Sequence, residues 1–130
     1  MIASRRVVLV TGASKGIGKA IALKAASEGA CVVVNYQSDK LGADAVVAAI
    51  GPERAMAVQA NVGESSEASR LIKTAVARFG AIDVLVANAA ALPQADIESM
   101  TEADFDLAFG VNVKGPCFLA QVRLLPTHVK

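Results

Sequence analysis

Gly12, Gly16 and Gly18 stand close together between an apolar run and a helical pattern, and few folds use glycines in that setting. Val7 to Val10 is a short apolar stretch ending in Thr11-Gly12, and Ile17 to Glu28 then carries apolar residues at helical spacing until Gly29-Ala30 closes it. A strand that turns on glycines straight into a helix brings free backbone N–H groups and the positive end of a helix dipole together, which is what an anion needs. Glycine serves there because the backbone must turn tightly and approach a phosphate closely. An ordinary glycine turn is the competing reading, and the remainder of the chain decides between them.

The same alternation repeats. Cys31 to Tyr36 is a second apolar run, followed by a helical stretch from Lys40 to Ile50 that Gly51-Pro52 terminates. Ala55 to Gln59 is a weaker third strand. Ser65 to Phe79 sets Ala68, Leu71, Ile72, Ala75, Val76 and Phe79 on one helical face and ends at Gly80. Ile82 to Ala87 reads as a fourth strand and Ala89 to Ser99 as a loop. Thr101 and Asp104 then predict a capping box for a long helix running to about Leu125, kinked at Gly115-Pro116. Strands alternating with helices predict an α/β fold with a doubly wound parallel sheet, Rossmann-like, forming one domain over residues 1–130.

Composition agrees with a buried parallel sheet. Hydrophobic residues make up 54% and charged ones only 19%, as expected where strands are covered on both faces. Thirteen Lys plus Arg against twelve Asp plus Glu leave the chain near neutral, which argues against nucleic acid as a partner. The amino terminus resembles neither a secretion signal nor a membrane span. Cys31 and Cys117 lie in apolar sequence and are expected as buried free thiols in a reducing compartment, so the expectation is a cytoplasmic protein without membrane contact.

From Thr11 to Gly18 the chain matches every fixed position of Thr-Gly-x-x-x-Gly-x-Gly, and in this it resembles the short-chain dehydrogenase/reductase family. The likeness extends along essentially the whole chain and is nearest in flavour to beta-ketoacyl carrier-protein reductases and fungal ketoreductases. It implies that Gly12, Ser14, Lys15, Gly16, Ile17 and Gly18 face the phosphates of a dinucleotide, and that Asn35 and Tyr36 stand at the ribose end. It also implies that Asn61-Val62 lie near the adenine and that Asn88-Ala89 match the motif following the fourth strand. Ala87-Asn88-Ala89-Ala90 departs from the family's Asn-Asn-Ala-Gly at its first and last positions. Asn112, within Val111 to Pro116, matches the family's active-site Asn.

Cofactor choice is expected from the end of the second strand. A carboxylate there selects NAD by accepting bonds from both ribose hydroxyls and repels a 2′-phosphate. Asn35 to Ser38 contains none, and Lys15 adds a cation, so the resemblance implies NADP(H); a solvated turn lysine is the plainer alternative. No metal site is expected: His128 is the single histidine and lies near the end without ligand-type neighbours.

The family's catalytic Ser and Tyr-x-x-x-Lys follow a fifth strand, and the chain is expected to end before them, after four strands and the following long helix. Tyr36 and Lys40 do fit Tyr-x-x-x-Lys, but at the end of the second strand they lie on the adenosine side and are rejected as a proton-transfer pair. Ser65, Ser66, Asp96 and Ser99 are read as helix-start and loop residues, and Glu98, Glu102, Asp104 and Asp106 as a solvated first helical turn.

Three readings follow. One is the NADP(H)-binding portion of an oxidoreductase, inactive in hydride transfer by itself. Another is an assembly protein that pairs with itself or with a related subunit. The last is a non-redox enzyme on the same half-fold.

Overall fold

The computed structural model describes residues 5–124. A parallel sheet is ordered β3-β2-β1-β4, with β1 at Val7–Val10, β2 at Cys31–Tyr36, β3 at Ala55–Gln59 and β4 at Val84–Val86. Helices α1 (Gly16–Ser27), α2 (Lys40–Ile50) and α3 (Ser65–Phe79) connect the strands, and α4 (Glu102–Phe109) and α5 (Gly115–Leu124) follow β4. The expected doubly wound α/β arrangement is present.

Alternation along the strands sorts the core into two layers. Val8, Val10, Val32 and Val34 pack with Ala22, Ala26, Ala43 and Val46 of α1 and α2. Val7, Leu9, Val33 and Val58 face the other way, onto Leu71, Ile72 and Ala75 of α3 and Leu119 of α5. The small alanines of α1 and α2 let those helices lie close to a valine-rich sheet face.

Several boundaries differ from expectation. β4 is shorter than Ile82 to Ala87 because Asp83 works as a clamp: its Oδ2 accepts the Val7 N–H at 2.7 Å, and its own N–H donates to the Val7 carbonyl at 2.9 Å. Ile82 points into the core instead of extending the strand.

The long helix is two helices joined by a π-type turn at Gly110–Lys114. Pro116 has no N–H to donate, and the chain widens in the turn before it, so that the Gly115 N–H reaches the Gly110 carbonyl. Gly115 itself abuts β3's exit: a Cβ there would sit 2.6 Å from the Val62 carbonyl oxygen. The break therefore lies ahead of Gly115-Pro116, and Leu125 and His128 lie outside the described residues.

Thr101 and Asp104 do form a reciprocal capping box. Ser65 does not cap α3, since Glu64 occupies that position without a side-chain bond. Cys31 is half-buried, but Cys117 is exposed, contrary to expectation. Gly115 and Leu119 are the buried residues of α5, and Cys117 lies about 200° around the helix from each. Among the described residues no helix is long and apolar enough to cross a membrane.

The carboxyl ends of β1 and β4 are joined through one hydroxyl. Thr11 Oγ1 accepts the N–H groups of Asn88 (3.0 Å) and Ala89 (2.9 Å), while the Asn88 side-chain amide donates to the carbonyls of Thr11 and Gly12, both at 3.1 Å. Thr11 is 1% exposed, so Thr11→Val keeps its shape but leaves the Ala89 N–H without an acceptor and the Asn88 N–H with the Val86 carbonyl alone, at 3.0 Å. The expected loss is about 1–3 kcal/mol of stability, read as a lowered urea midpoint at unchanged slope. An unchanged midpoint would contradict this role.

Candidate nucleotide-binding site

The strand ends converge on a cleft of about 270 Å³. Its walls are Gly12, Ser14 and Lys15 after β1, Asn35 to Asp39 at the end of β2, Ala60 and Val62 after β3, and Ala89 to Ala91 after β4, with Val111 closing one side. Carboxyl ends of parallel strands at a change in winding direction are where open α/β sheets place ligands. Here β2 and β3 lie to one side of β1 and β4 to the other. A larger hollow of about 390 Å³, bounded by Arg5, Arg6 and the end of α1, lies at the opposite, amino ends of the strands.

The glycine turn has the geometry an anion requires. Gly12 and Gly16 take left-handed backbone angles, with φ of 61° and 62°. Gly18 is buried against the turn, and a Cβ there would collide with the Gly12 carbonyl oxygen. α1 starts without a side-chain cap, and Lys15 occupies the capping position in extended conformation. The Lys19 N–H bonds to the Lys15 carbonyl at 3.3 Å. The N–H groups of Gly16, Ile17 and Gly18 precede that bond and belong to the turn whose donors a helix cannot satisfy internally. By contrast α2 is capped by Asp39, whose Oδ1 accepts the Gly42 N–H at 3.0 Å. That carboxylate lines the cleft but is turned onto its own helix.

Of the residues named from sequence, Gly12, Ser14, Lys15, Asn35, Tyr36, Val62 and Ala89 line the cleft. Gly16 and Ile17 are exposed beside Lys15, and Ile17 also borders an apolar hollow next to Val84 and Val86. Asn61 turns away: its Oδ1 accepts the Gly63 N–H at 3.0 Å, closing the turn after β3, while its N–H donates to Glu67 Oε1 at 2.9 Å. Asn88 is spent on Thr11 and Gly12, as described. Asn112 lies in the π-type turn, where its Oδ1 accepts the Ala91 N–H at 2.8 Å and its Nδ2 donates to the Ala91 carbonyl at 2.7 Å. It thereby holds the segment after β4 beside the cleft.

Lys40, which with Tyr36 fits Tyr-x-x-x-Lys, is bonded to its own helix. The Lys40 ammonium donates to Asp44 Oδ2 at 2.7 Å, and that hydrogen bond and charge hold its pKa above the usual lysine value. Asp96 and Ser99 close a local turn, with the Ser99 hydroxyl and N–H donating to Asp96 Oδ1 and keeping that carboxyl below its ordinary pKa. Sequence reasoning named neither Thr11 as a junction nor Ala60 and Val111 as walls. A hydroxyl at the end of a buried apolar strand was the available signal for Thr11, because such a group must find partners.

Known proteins share this arrangement. The family model for short chain dehydrogenase matches residues 6–127. An uncharacterised oxidoreductase of Methylorubrum extorquens is 50% identical over 118 residues, covering 89% of this chain and 48% of the relative. A hydroxynaphthalene reductase-like protein of Metarhizium robertsii is 42% identical, over 89% of this chain and 44% of its own length. Among solved structures, a short-chain dehydrogenase of Burkholderia cenocepacia in complex with NADP superposes with a TM-score of 0.88 at 34% identity, over 92% of this chain and 49% of that one. A blue fluorescent protein from a metagenomic library, in complex with NADPH, gives 0.86 at 31% identity, over 91% and 49%. The chain thus spans about half the length of the relatives it matches. The family model covers residues 6–127 and the relatives match about nine-tenths of this chain, so the chain belongs to the short-chain dehydrogenase/reductase family.

Proposed function

We propose that this chain is the NADP(H)-binding portion of an oxidoreductase acting on a carbonyl or alcohol. The observation that carries the reading is the start of α1, where a helix without a side-chain cap opens on two left-handed glycines beside the exposed Lys15. The N–H groups of that turn suit a pyrophosphate. Among the described residues Lys15 makes no ion pair, and the Asp39 carboxylate of the cleft is engaged at Gly42. This leaves the Lys15 ammonium as the cation for a 2′-phosphate, with the one carboxylate lining the cleft, Asp39, directed at its own helix. In this reading Gly12 and Ser14 to Gly18 hold the phosphates, Tyr36 and Val62 flank the adenosine, and Ala89 borders the path toward the nicotinamide. Asn35, Asn61 and Asn88 shape the walls from behind. When bound, the dinucleotide supplies or takes up the hydride. The cytoplasm, where NADP(H) is plentiful, is the compartment this reading assigns.

NADPH is expected to bind about tenfold or more tightly than NADH, and Lys15→Glu to remove most of that difference by replacing a charge-assisted contact with repulsion. Isothermal calorimetry with both nucleotides decides the matter, and equal affinities in the unmodified chain would sink it. In the same samples a ketone and NADPH are expected to give no turnover, because Tyr36 is the sole tyrosine of the chain and its partner Lys40 is held by Asp44. Turnover abolished by Tyr36→Phe would overturn that expectation.

A second reading, assembly with another copy or a related subunit, draws on two surfaces. Among the described residues β4 pairs on one side only and its residues are half-exposed, so it presents an unpaired edge beside an apolar hollow lined by Val8, Ile17, Ile21, Val84 and Val86. Such an edge is a template for another strand. Phe105 and Phe109 stack at 4.4 Å between ring centres and stay about half-exposed (50% and 51%), so their mutual contact does not cover them. Light scattering after size exclusion at low micromolar concentration is expected to give a dimer or larger mass, reduced by Val86→Lys for a strand-edge contact or, for a helical one, by Phe118→Glu in the half-buried α5 residue that lines a hollow with Phe109. A clean monomer with a cooperative melt contradicts assembly.

A further inference from the structure

Asn35 is a polar side chain in an otherwise apolar strand, and at 2% exposure it is almost sealed from solvent. Its Oδ1 accepts the Gly12 N–H at 3.2 Å. Its Nδ2 donates to the carbonyls of Val58 and Ala60, both at 3.2 Å, with the Tyr36 carbonyl next at 3.4 Å. Its backbone carbonyl accepts the Ala13 N–H at 2.8 Å. A single residue thus ties the glycine turn after β1 to the end of β3, which are facing walls of the cleft. The chemistry is particular to an amide: one end must accept and the other must donate twice, and among side chains of this size only asparagine does both. An aspartate would set an oxygen against two carbonyls, and a leucine would leave the Gly12 N–H without its acceptor.

We infer that Asn35 is a positioning residue for nucleotide binding, setting the spacing between the glycine turn and the Ala60–Val62 wall while its own side chain makes no contact with the nucleotide. The inference rests on the proposed NADP(H) reading. It deepens that reading by placing the preorganisation of the phosphate site in a strand residue behind it. A turn already held in its binding shape spends none of the contact energy on ordering itself; without Asn35 that ordering falls on the bound state.

The test compares Asn35→Leu with Val46→Ala, a change in a fully buried α2 residue that packs on the sheet away from the cleft. NADPH affinity is measured by calorimetry on both, alongside melting temperature and amide hydrogen exchange. Asn35→Leu is expected to weaken NADPH on the order of tenfold, the scale of one lost buried hydrogen bond, and to strip exchange protection from the Gly12 amide while β1 and β2 stay protected. Val46→Ala is expected to lower the melting temperature by a cavity effect with affinity held within about twofold, as distant sites act independently. Equal weakening in the two variants, or wild-type affinity in Asn35→Leu, overturns the inference.

Should Asn35→Leu fail to fold, the unmodified chain without nucleotide carries the test. Slow exchange at Gly12 and Ala13, comparable to the strands, supports the inference, and exchange at Gly12 as fast as in an open loop overturns it. Failure of the unmodified chain to bind NADPH, with Gly12 protected, overturns the nucleotide reading and leaves Asn35 as a purely structural tie.

Discussion

Parallel strands that end together create a difficulty at their carboxyl ends: the chain must be held there firmly while the space between the ends stays open. This molecule meets it with two buried side-chain junctions. Thr11 and Asn88 join β1 to β4, and Asn35 joins the turn after β1 to β3. Both junctions use short polar side chains bonded to backbone groups, so they hold the walls from behind and leave the cleft free. Everything proposed about binding depends on that framework, because unsatisfied N–H groups at the start of α1 bind an anion well only when the turn carrying them is already in place.

Much of this was legible in the sequence. Apolar runs separated by helical patterns and glycine stops located β1 to β3 and α1 to α3 closely, because burial on both faces leaves an unbroken valine signal. Gly12 and Gly16 stand where positive φ is needed, and Gly18 where the helix meets the turn. The misses have physical causes. Asp83 holds the start of β4 back to Val84 through a side-chain bond that an apolar pattern does not reveal. The π-type turn precedes Pro116 because the backbone adjusts ahead of the missing donor. Asn61 and Asn88 were placed on the right turns, but the direction of their amides depends on contacts with Gly63 and with Thr11 that no local pattern encodes. Cys117 was read as buried from apolar neighbours, although its angular position relative to Gly115 and Leu119 pointed outward.

One edge of the molecule contrasts with this economy. β1 and β2 are flanked on both sides, whereas β4 is three residues long and open along one side, and the α4 surface shows two stacked aromatic rings to solvent. The cleft lies at the strand ends and takes its walls from the segments after all four strands, with Ala89 to Ala91 following β4. Nucleotide binding and any covering of the β4 side rest mostly on different residues, with Ile17, exposed between the glycine turn and the apolar hollow at Val84 and Val86, common to both.

The central claim is that the glycine turn and the start of α1 form a preorganised site for the phosphates of NADP(H). Backbone amide chemical shifts followed during titration with NADPH test it most directly. The account predicts the largest changes at Ser14, Lys15, Gly16, Ile17 and Gly18, smaller ones at Val62 and Ala89, and none in α3. Changes confined to the Arg5–Arg6 hollow or to α4, or spectra that do not move at millimolar nucleotide, would contradict it.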